Sequence, residues 1–257
     1  ALRHRGGKLA ESLVSRLADG DRPDLWFTYH LYYKAPDWLG PAVAGALGIP
    51  YVVAEASYAP KRAEGPWDAG HRAVEGAIRA ADHVFSLNAD DRECVSPLLK
   101  AGAGESLLSP FVDAAPYRRE RQRWAENRAT LAVRHRLDAD MPWLLAVGMM
   151  RPGDKLASYR VLAEGLEQCA DLPWRLLIVG GGIAETAVSE LFAPFGERVV
   201  RLGVLDGRAL MPVYAASDLF VWPAVREAFG MAILEAQAAG LPVVAGRTGG
   251  VPGIVAD

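Results

Sequence analysis

The sequence lacks several features that would each define a class of protein. Its two cysteines, Cys94 and Cys169, lie far apart and form no metal-ligand or redox motif, so we expect a reducing compartment, the cytoplasm. No apolar run reaches the length of a membrane span, and the first residues carry no signal-peptide hydrophobic segment. The net charge is only −3 and like charges form no long block, which argues against a nucleic-acid partner.

What the sequence does contain is a regular alternation of short apolar runs and helical patterns. The length of 257 residues, 51% of them hydrophobic, allows a sizeable core in one large or two medium domains. A helix is expected over residues 8–18, and another, with a glycine C-cap, over ADDRECVSPLLKAG. Runs rich in β-forming residues lie between the helical patterns, among them DLWFTYH, YVVAEA and HVFSLN. This alternation is typical of parallel α/β structure.

The alternation breaks in the stretch SPFVDAAPYRRERQRWAENRATLAVRHRLDAD, which holds two prolines and many arginines. We interpret it as a linker followed by a helix whose arginines form a solvated face. Strands separated by helical patterns resume with PWLLAVGMM, WRLLIVGGG, RVVRLG, DLFVWPA and PVVAG. The sequence therefore predicts two α/β domains, at residues 1–112 and 141–257, joined by a linker and connecting helix at 113–140.

Two glutamates interrupt the otherwise small and apolar run REAFGMAILEAQAAGLPVVA. Glu227 lies between a predicted strand and a helix N-terminus, where open α/β sheets usually bind ligands and free N–H groups suit an anion. Glu235 lies inside the helix, and no charged residue three or four positions away can pair with it. An unpaired carboxylate on an apolar face is costly. We therefore expect either a ligand, or a structural role in which Glu227 caps the helix and Glu235 pairs with a distant arginine.

This run, followed by GGVPGIV, resembles the E-x7-E segment of retaining GT-B glycosyltransferases of family 4, which move a sugar from a nucleotide-diphosphate sugar to an acceptor. Other segments resemble the family in the same order: PDLWFTYH, LGIPYVV, SPFVD, LLAVGMMRPGDKLASYRVLAEGL, RLLIVGGG, RLGVL and YAASDLFVWPA. The resemblance implies two Rossmann-like parallel α/β domains facing a cleft, an N-terminal acceptor-side domain and a C-terminal donor-binding domain. Nothing matches the family's first strands, glycine-rich loop or final helices, so we expect a chain truncated at both ends.

The resemblance also implies roles for individual residues. Arg151 and Lys155 match a cationic pair that stabilises negative charge growing on the diphosphate, without a metal. Glu227 would lie near the transferred sugar as a further catalytic group, and Glu235 would accept hydrogen bonds from the ribose hydroxyls. Further donor contacts are expected at Gly180, Gly181, Gly182, Val204, Leu205, Phe229, Gly230 and Met231. No cofactor and no metal site is expected besides the nucleotide-sugar donor.

The acceptor side matches the family less closely. His30 ends a predicted strand, and Glu55 lies near a position where many members carry a histidine, so both are candidate acceptor-side residues. Ala224 and Gly253 stand where the family often has Ser and Glu. The acceptor, a sugar or a lipid-type molecule, is not identified by the sequence, and a lipid acceptor would bring a peripheral membrane contact.

Metal-independent transfer of a hexose with retention is the favoured function, and other functions stay open. A nucleotide-sugar epimerase has the same architecture, and a non-catalytic nucleotide-sugar-binding remnant would share the site. The run LLIVGGGIAE resembles a dinucleotide fingerprint, but Glu185 replaces the third glycine of G-x-G-x-x-G. An oxidoreductase is therefore the weaker alternative.

Overall fold

A computed structural model describes residues 2–18, 20 and 22–255 of the chain. They divide into two compact units, Ala1–Ser109 and Pro110–Asp257. Each unit contains one parallel sheet with helices packed on it, so the prediction of two parallel α/β domains is confirmed. Among the helices in these ranges, none combines the length and the apolar character that crossing a bilayer requires.

The first unit is built on a four-stranded sheet in which sequential strands are neighbours. Its strands are β1 (Trp26–Leu31), β2 (Tyr51–Ala56), β3 (His83–Ser86) and β4 (Gly104–Leu107), in the order β1-β2-β3-β4. Its helices are α1 (Leu2–Ala18), α2 (Gly40–Leu47), α3 (Asp68–Ala80) and α4 (Ala89–Val95). Buried aliphatic side chains, such as those of Leu31, Val53, Val84 and Ile78, form its core.

Local chemistry sets the ends of these elements. Helix α2 ends at Gly48, which adopts the left-handed conformation (φ 61°) that glycine takes without strain. The carboxylate of Asp37 accepts hydrogen bonds from the amides of Leu39 (2.9 Å) and Gly40 (2.7 Å) at the start of the same helix. The predicted helix over ADDRECVSPLLKAG is too long, because α4 ends at Val95, two residues before a proline, and a short 3-10 turn follows.

The second unit has a five-stranded sheet whose strand order reverses direction once. Its strands are β5 (Trp143–Val147), β6 (Arg175–Val179), β7 (Val199–Gly203), β8 (Leu219–Trp222) and β9 (Val243–Ala245). Its helices are α5 (Ala114–Gln122), α6 (Trp124–His135), α7 (Asp154–Glu167), α8 (Glu185–Phe192), α9 (Gly207–Ala216) and α10 (Met231–Ala238). The order is β7-β6-β5-β8-β9. The chain therefore switches direction between β5 and β8, the place where open parallel sheets bind ligands.

The arginine-rich stretch forms two helices, α5 and α6, that pack against α9 of the second unit. The expectation of a solvated arginine face is wrong for Arg128, which is 5% exposed. Its guanidinium donates to the carbonyls of Ala139, Met141 and Ala216 and to the Asp218 carboxylate. This side chain therefore ties α6 to the loop before β5 and to the end of α9.

Candidate active site

A cavity of about 670 Å³ lies at the carboxyl ends of β5, β6 and β8, at the switch in strand order. Most of the donor-side residues singled out in the sequence line it. They are Arg151, Lys155, Gly180, Gly181, Val204, Leu205, Glu227, Phe229, Gly230, Met231 and Glu235. Gly182 lies one residue beyond this lining, and His30 and Glu55 belong to the first unit.

The glycine-rich loop after β6 packs directly on the loop after β5. Gly180 (φ 142°) and Gly182 (φ 146°) adopt backbone conformations that side chains disfavour. A Cβ on Gly180 would collide with the carbonyl oxygen of Gly148, and one on Gly182 with that of Met150. The Met150 amide donates to the Gly181 carbonyl (2.9 Å). These glycines therefore bring two loop backbones together and leave the floor of the cavity free of side chains.

An ion pair between Lys155 and Glu227 lies in the cavity. Lys155 is in the first turn of α7, and Glu227 is in the loop between β8 and α10. The Lys155 Nζ lies 2.5 Å from Glu227 Oε2, with the two side chains only 19% and 15% exposed. Arg151, by contrast, is exposed and pairs with no carboxylate among the described residues. The site thus presents one fixed cation beside a carboxylate and one cation available to an incoming anion.

The loop that carries Glu227 is strained and is held from two sides. Ala224 (φ 55°) and Arg226 (φ 49°) occupy the left-handed region, which costs non-glycine residues of the order of 1–3 kcal/mol each. The Val225 amide donates to Ser158 Oγ on α7 (3.0 Å), and the Thr248 hydroxyl donates to the Ala224 carbonyl. The surrounding structure therefore fixes this loop in a conformation that it would not adopt alone.

Glu235 is half-buried on α10, and its partner is a tyrosine rather than an arginine. The hydroxyl of Tyr214 donates to Glu235 Oε2 (2.9 Å), and the other oxygen accepts no hydrogen bond from the described residues. The alternative in which Glu235 pairs with a distant arginine is therefore wrong. Burial raises the pKa of Glu235, and the Tyr214 bond only partly opposes it. Burial and the charge of Glu235 together raise the pKa of the neighbouring Tyr117 to about 12.

In the first unit, His30 and Glu55 lie together at the carboxyl ends of β1 and β2. The His30 Nδ1 is 2.8 Å from Glu55 Oε1, with the histidine half exposed and the glutamate 11% exposed. Both residues have positive φ, 64° and 58°, although neither is glycine. Paired strain of this kind at strand ends is typical of functional positions.

Two side chains that the sequence did not single out also take part in the second-unit site. The indole of Trp222 donates to Glu227 Oε2 (3.2 Å), and Tyr214 holds Glu235. The position of Trp222, at the end of a strand next to the switch in strand order, is the signal that could have identified it. In the described part of the chain, no group of three or more His, Cys, Asp or Glu side chains could hold a metal ion.

Comparison with known proteins finds a family that the second unit resembles. Residues 141–257 match the family described as Glycosyl transferases group 1. A D-inositol 3-phosphate glycosyltransferase from Mycobacteroides abscessus is 36% identical over 261 residues, which cover 99% of this chain and 47% of the relative. A sulfoquinovosyl transferase from Arabidopsis thaliana is 40% identical over 120 residues, 47% of this chain and 22% of the relative. The chain therefore spans at most about half the length of these relatives.

Solved structures share the fold at low sequence identity. A glycosyltransferase from Rickettsia africae has a TM-score of 0.74 at 16% identity, with 94% of this chain and 62% of that chain covered. Anabaena HepE in complex with UDP and glucose has a TM-score of 0.71 at 18% identity, covering 98% and 65%. Sucrose-phosphate synthase from Thermosynechococcus elongatus has a TM-score of 0.68 at 22% identity, covering 97% and 62%. These likenesses confirm the predicted fold class, two Rossmann-like parallel α/β domains.

Proposed function

We propose that this protein transfers a sugar, with retention, from a nucleotide-diphosphate sugar to an acceptor, because residues 141–257 match the family described as Glycosyl transferases group 1. One observation carries the proposal. The cavity at the switch in strand order brings Arg151, Lys155, Glu227 and Glu235 together, four charged side chains from three separate segments. HepE, which shares the fold, was solved with UDP and with UDP-glucose, so these are the probes to use first.

The cations are assigned to the diphosphate. When the bond from the anomeric carbon to the phosphate oxygen breaks, negative charge grows on the diphosphate. Lys155 supplies a point charge from the first turn of α7, and Arg151 supplies a planar fork that suits phosphate oxygens. Groups that are already oriented toward this charge stabilise the transition state without reorganising. Lys155 meets that condition, because Glu227 already orients its ammonium.

The two glutamates are assigned to the ribose and to the sugar. The Glu235 oxygen that Tyr214 leaves free would accept hydrogen bonds from the ribose hydroxyls. Glu227 would contact the transferred sugar. In the proposed reaction the acceptor oxygen bonds to the anomeric carbon on the face that the diphosphate leaves, and the acceptor's proton passes to the departing phosphate oxygen. No side-chain base is then required.

Metal independence, a cytoplasmic location and the acceptor are parts of the same proposal. Two cations at the phosphate site take the role that a metal would otherwise have. D-inositol 3-phosphate is the first acceptor to test, because relatives at 35–36% identity are named for it. His30 and Glu55 are the acceptor-side candidates. A lipid-type acceptor and a peripheral membrane contact are the alternative.

The test is a product analysis with the whole chain. The protein is incubated with UDP-glucose and D-inositol 3-phosphate, and the product's anomeric proton is examined by NMR. The proposal expects a glucoside with the donor's α configuration, and a β-glucoside would contradict retention. The comparisons give no support to the epimerase alternative, which would convert UDP-glucose to an epimer without an acceptor. Donor binding with neither product would identify a non-catalytic remnant.

A further inference from the structure

Trp222, the last residue of β8, is 2% exposed and lines the cavity. Its ring meets the ring of Tyr159 edge-on, with centroids 5.0 Å apart at 82°. A Cβ on Gly148 would lie 2.8 Å from Trp222 Cη2, so the absence of a side chain there makes room for the indole. The ring therefore has one orientation, and this orientation points the N–H toward the cavity.

The N–H and the ring face of this indole both contact the Lys155–Glu227 ion pair in the cavity. Its N–H donates to Glu227 Oε2 (3.2 Å), the same oxygen that Lys155 contacts at 2.5 Å. The Lys155 Nζ also lies 5.4 Å from the centroid of the Trp222 ring, within the range of a cation–π interaction. Glu227 Oε1 accepts no hydrogen bond from the described residues. One carboxylate oxygen is thus committed to the protein, while the other is left for a ligand.

We propose that Trp222 is a positioning residue of this site, an inference that rests on the proposed function. Its rigid N–H fixes Oε2 of Glu227, so that Oε1 faces the hydroxyls of the transferred sugar in one orientation. Lys155 cannot do this alone, because an ammonium on a flexible four-carbon chain does not fix the rotation of a carboxylate. The ring face also holds the ammonium close to Glu227, ready for the diphosphate. Trp222 therefore acts through Glu227 and Lys155.

The chain offers a matched control in Trp174. This residue is 3% exposed, its indole donates to the Cys169 carbonyl (2.8 Å), and Arg198 lies over its ring at 3.7 Å. Trp174→Phe therefore loses the same kinds of interaction as Trp222→Phe, at a place that does not line the cavity. A general effect of removing a buried indole should appear equally in both variants.

The first measurement needs no ligand. In protein labelled with ¹⁵N-tryptophan, seven indole N–H signals are expected, and the signal missing from Trp222→Phe identifies Trp222. We expect Glu227→Gln to move this signal upfield, because a charged acceptor becomes a neutral one. The Trp174 signal should stay in place. A Trp222 signal that does not respond to Glu227→Gln overturns the proposal.

The second measurement is calorimetric titration with UDP and with UDP-glucose, which distinguishes the contribution of the sugar to binding from that of the diphosphate. Trp222→Phe should bind UDP within about threefold of the wild type, because the ring face and Lys155 remain, but should lose roughly tenfold in affinity for UDP-glucose. Trp174→Phe should change neither. If Trp222→Phe matches Trp174→Phe in both, the positioning role is wrong. If the wild type binds neither compound, the donor assignment fails for these probes, while the ligand-free NMR result still decides the role of Trp222.

Discussion

Replacing Glu235 with Gln should stabilise the protein at neutral pH and weaken its binding of nucleotides. The substitution keeps the shape of the side chain and an oxygen that can accept from Tyr214, but it removes the charge. Burial raises the pKa of Glu235 above its ordinary value of 4.5 even though the Tyr214 bond opposes the rise. Folding therefore carries a cost for the charged form of Glu235, and a neutral isostere avoids that cost.

The sign of the pH dependence follows from this direction. The folded protein holds the Glu235 proton more tightly than the unfolded chain, so the wild type loses stability as pH rises from about 4.5 through the raised pKa. Gln titrates nowhere in this range. The melting temperature of Glu235→Gln should therefore exceed that of the wild type at pH 7, and the difference should disappear below pH 4.5. The control Glu190→Gln changes an exposed residue on α8 and should alter neither the melting temperature nor its dependence on pH.

The cost to binding can be worked from the contacts. A hydrogen bond to a charged acceptor contributes about 1 kcal/mol more than one to a neutral acceptor. With two ribose hydroxyls the loss is about 2 kcal/mol, or roughly 30-fold in the UDP dissociation constant. Calorimetric titration with UDP, and melting curves of both variants from pH 4 to 8, measure the two effects. A large fall in melting temperature at pH 7 with UDP affinity unchanged would refute the reasoning, because Glu235 would then be structural.

Three further predictions concern other parts of the chain. Lys155→Met should weaken UDP binding roughly 10- to 100-fold in calorimetry and should weaken uridine binding little. The control Lys100→Met removes a surface ion pair in the first unit and should change neither affinity. Equal UDP affinities of Lys155→Met and the wild type would remove Lys155 from the site. Arg128→Met should lower the free energy of unfolding in urea by about 3–5 kcal/mol, because it removes the side-chain donor to three carbonyls and one of the two donors to Asp218. A loss as small as that of the exposed Arg79→Met, about 1 kcal/mol or less, would contradict this. EDTA should leave sugar transfer intact, and loss of activity restored by Mn²⁺ or Mg²⁺ would disprove metal independence.

The sequence predicted the elements whose side-chain pattern is strong. Strand β5 is a continuous apolar run, and β2 and β6 each contain four or more apolar residues with one charged residue. Strand β4, the four residues GESL, was not predicted, because it is short, half polar and only partly buried. Its place in the sheet is decided by pairing with β3, which no local pattern encodes.

The sequence named residues that line the cavity but not the contacts between them, and their assignment to a donor site stays a prediction. Residue spacing and the family resemblance identified Lys155, Glu227 and Glu235 as candidates, and the structure places all three in one cavity. That Lys155 and Glu227 contact each other across 72 positions of the chain depends on how α7 and the loop after β8 fold together. The hydrogen bond from Tyr214 to Glu235 is equally remote from any local pattern, since it joins residues on α9 and α10 that lie 21 positions apart.

The most direct test of the donor assignment is a thermal-shift comparison of wild type and Lys155→Met with UDP, GDP and ADP. A ligand that binds only the folded state raises the melting temperature by mass action. The account predicts that at least one of these diphosphates raises the melting temperature of the wild type and raises that of Lys155→Met much less. No shift with any of the three, or equal shifts in both proteins, would contradict it.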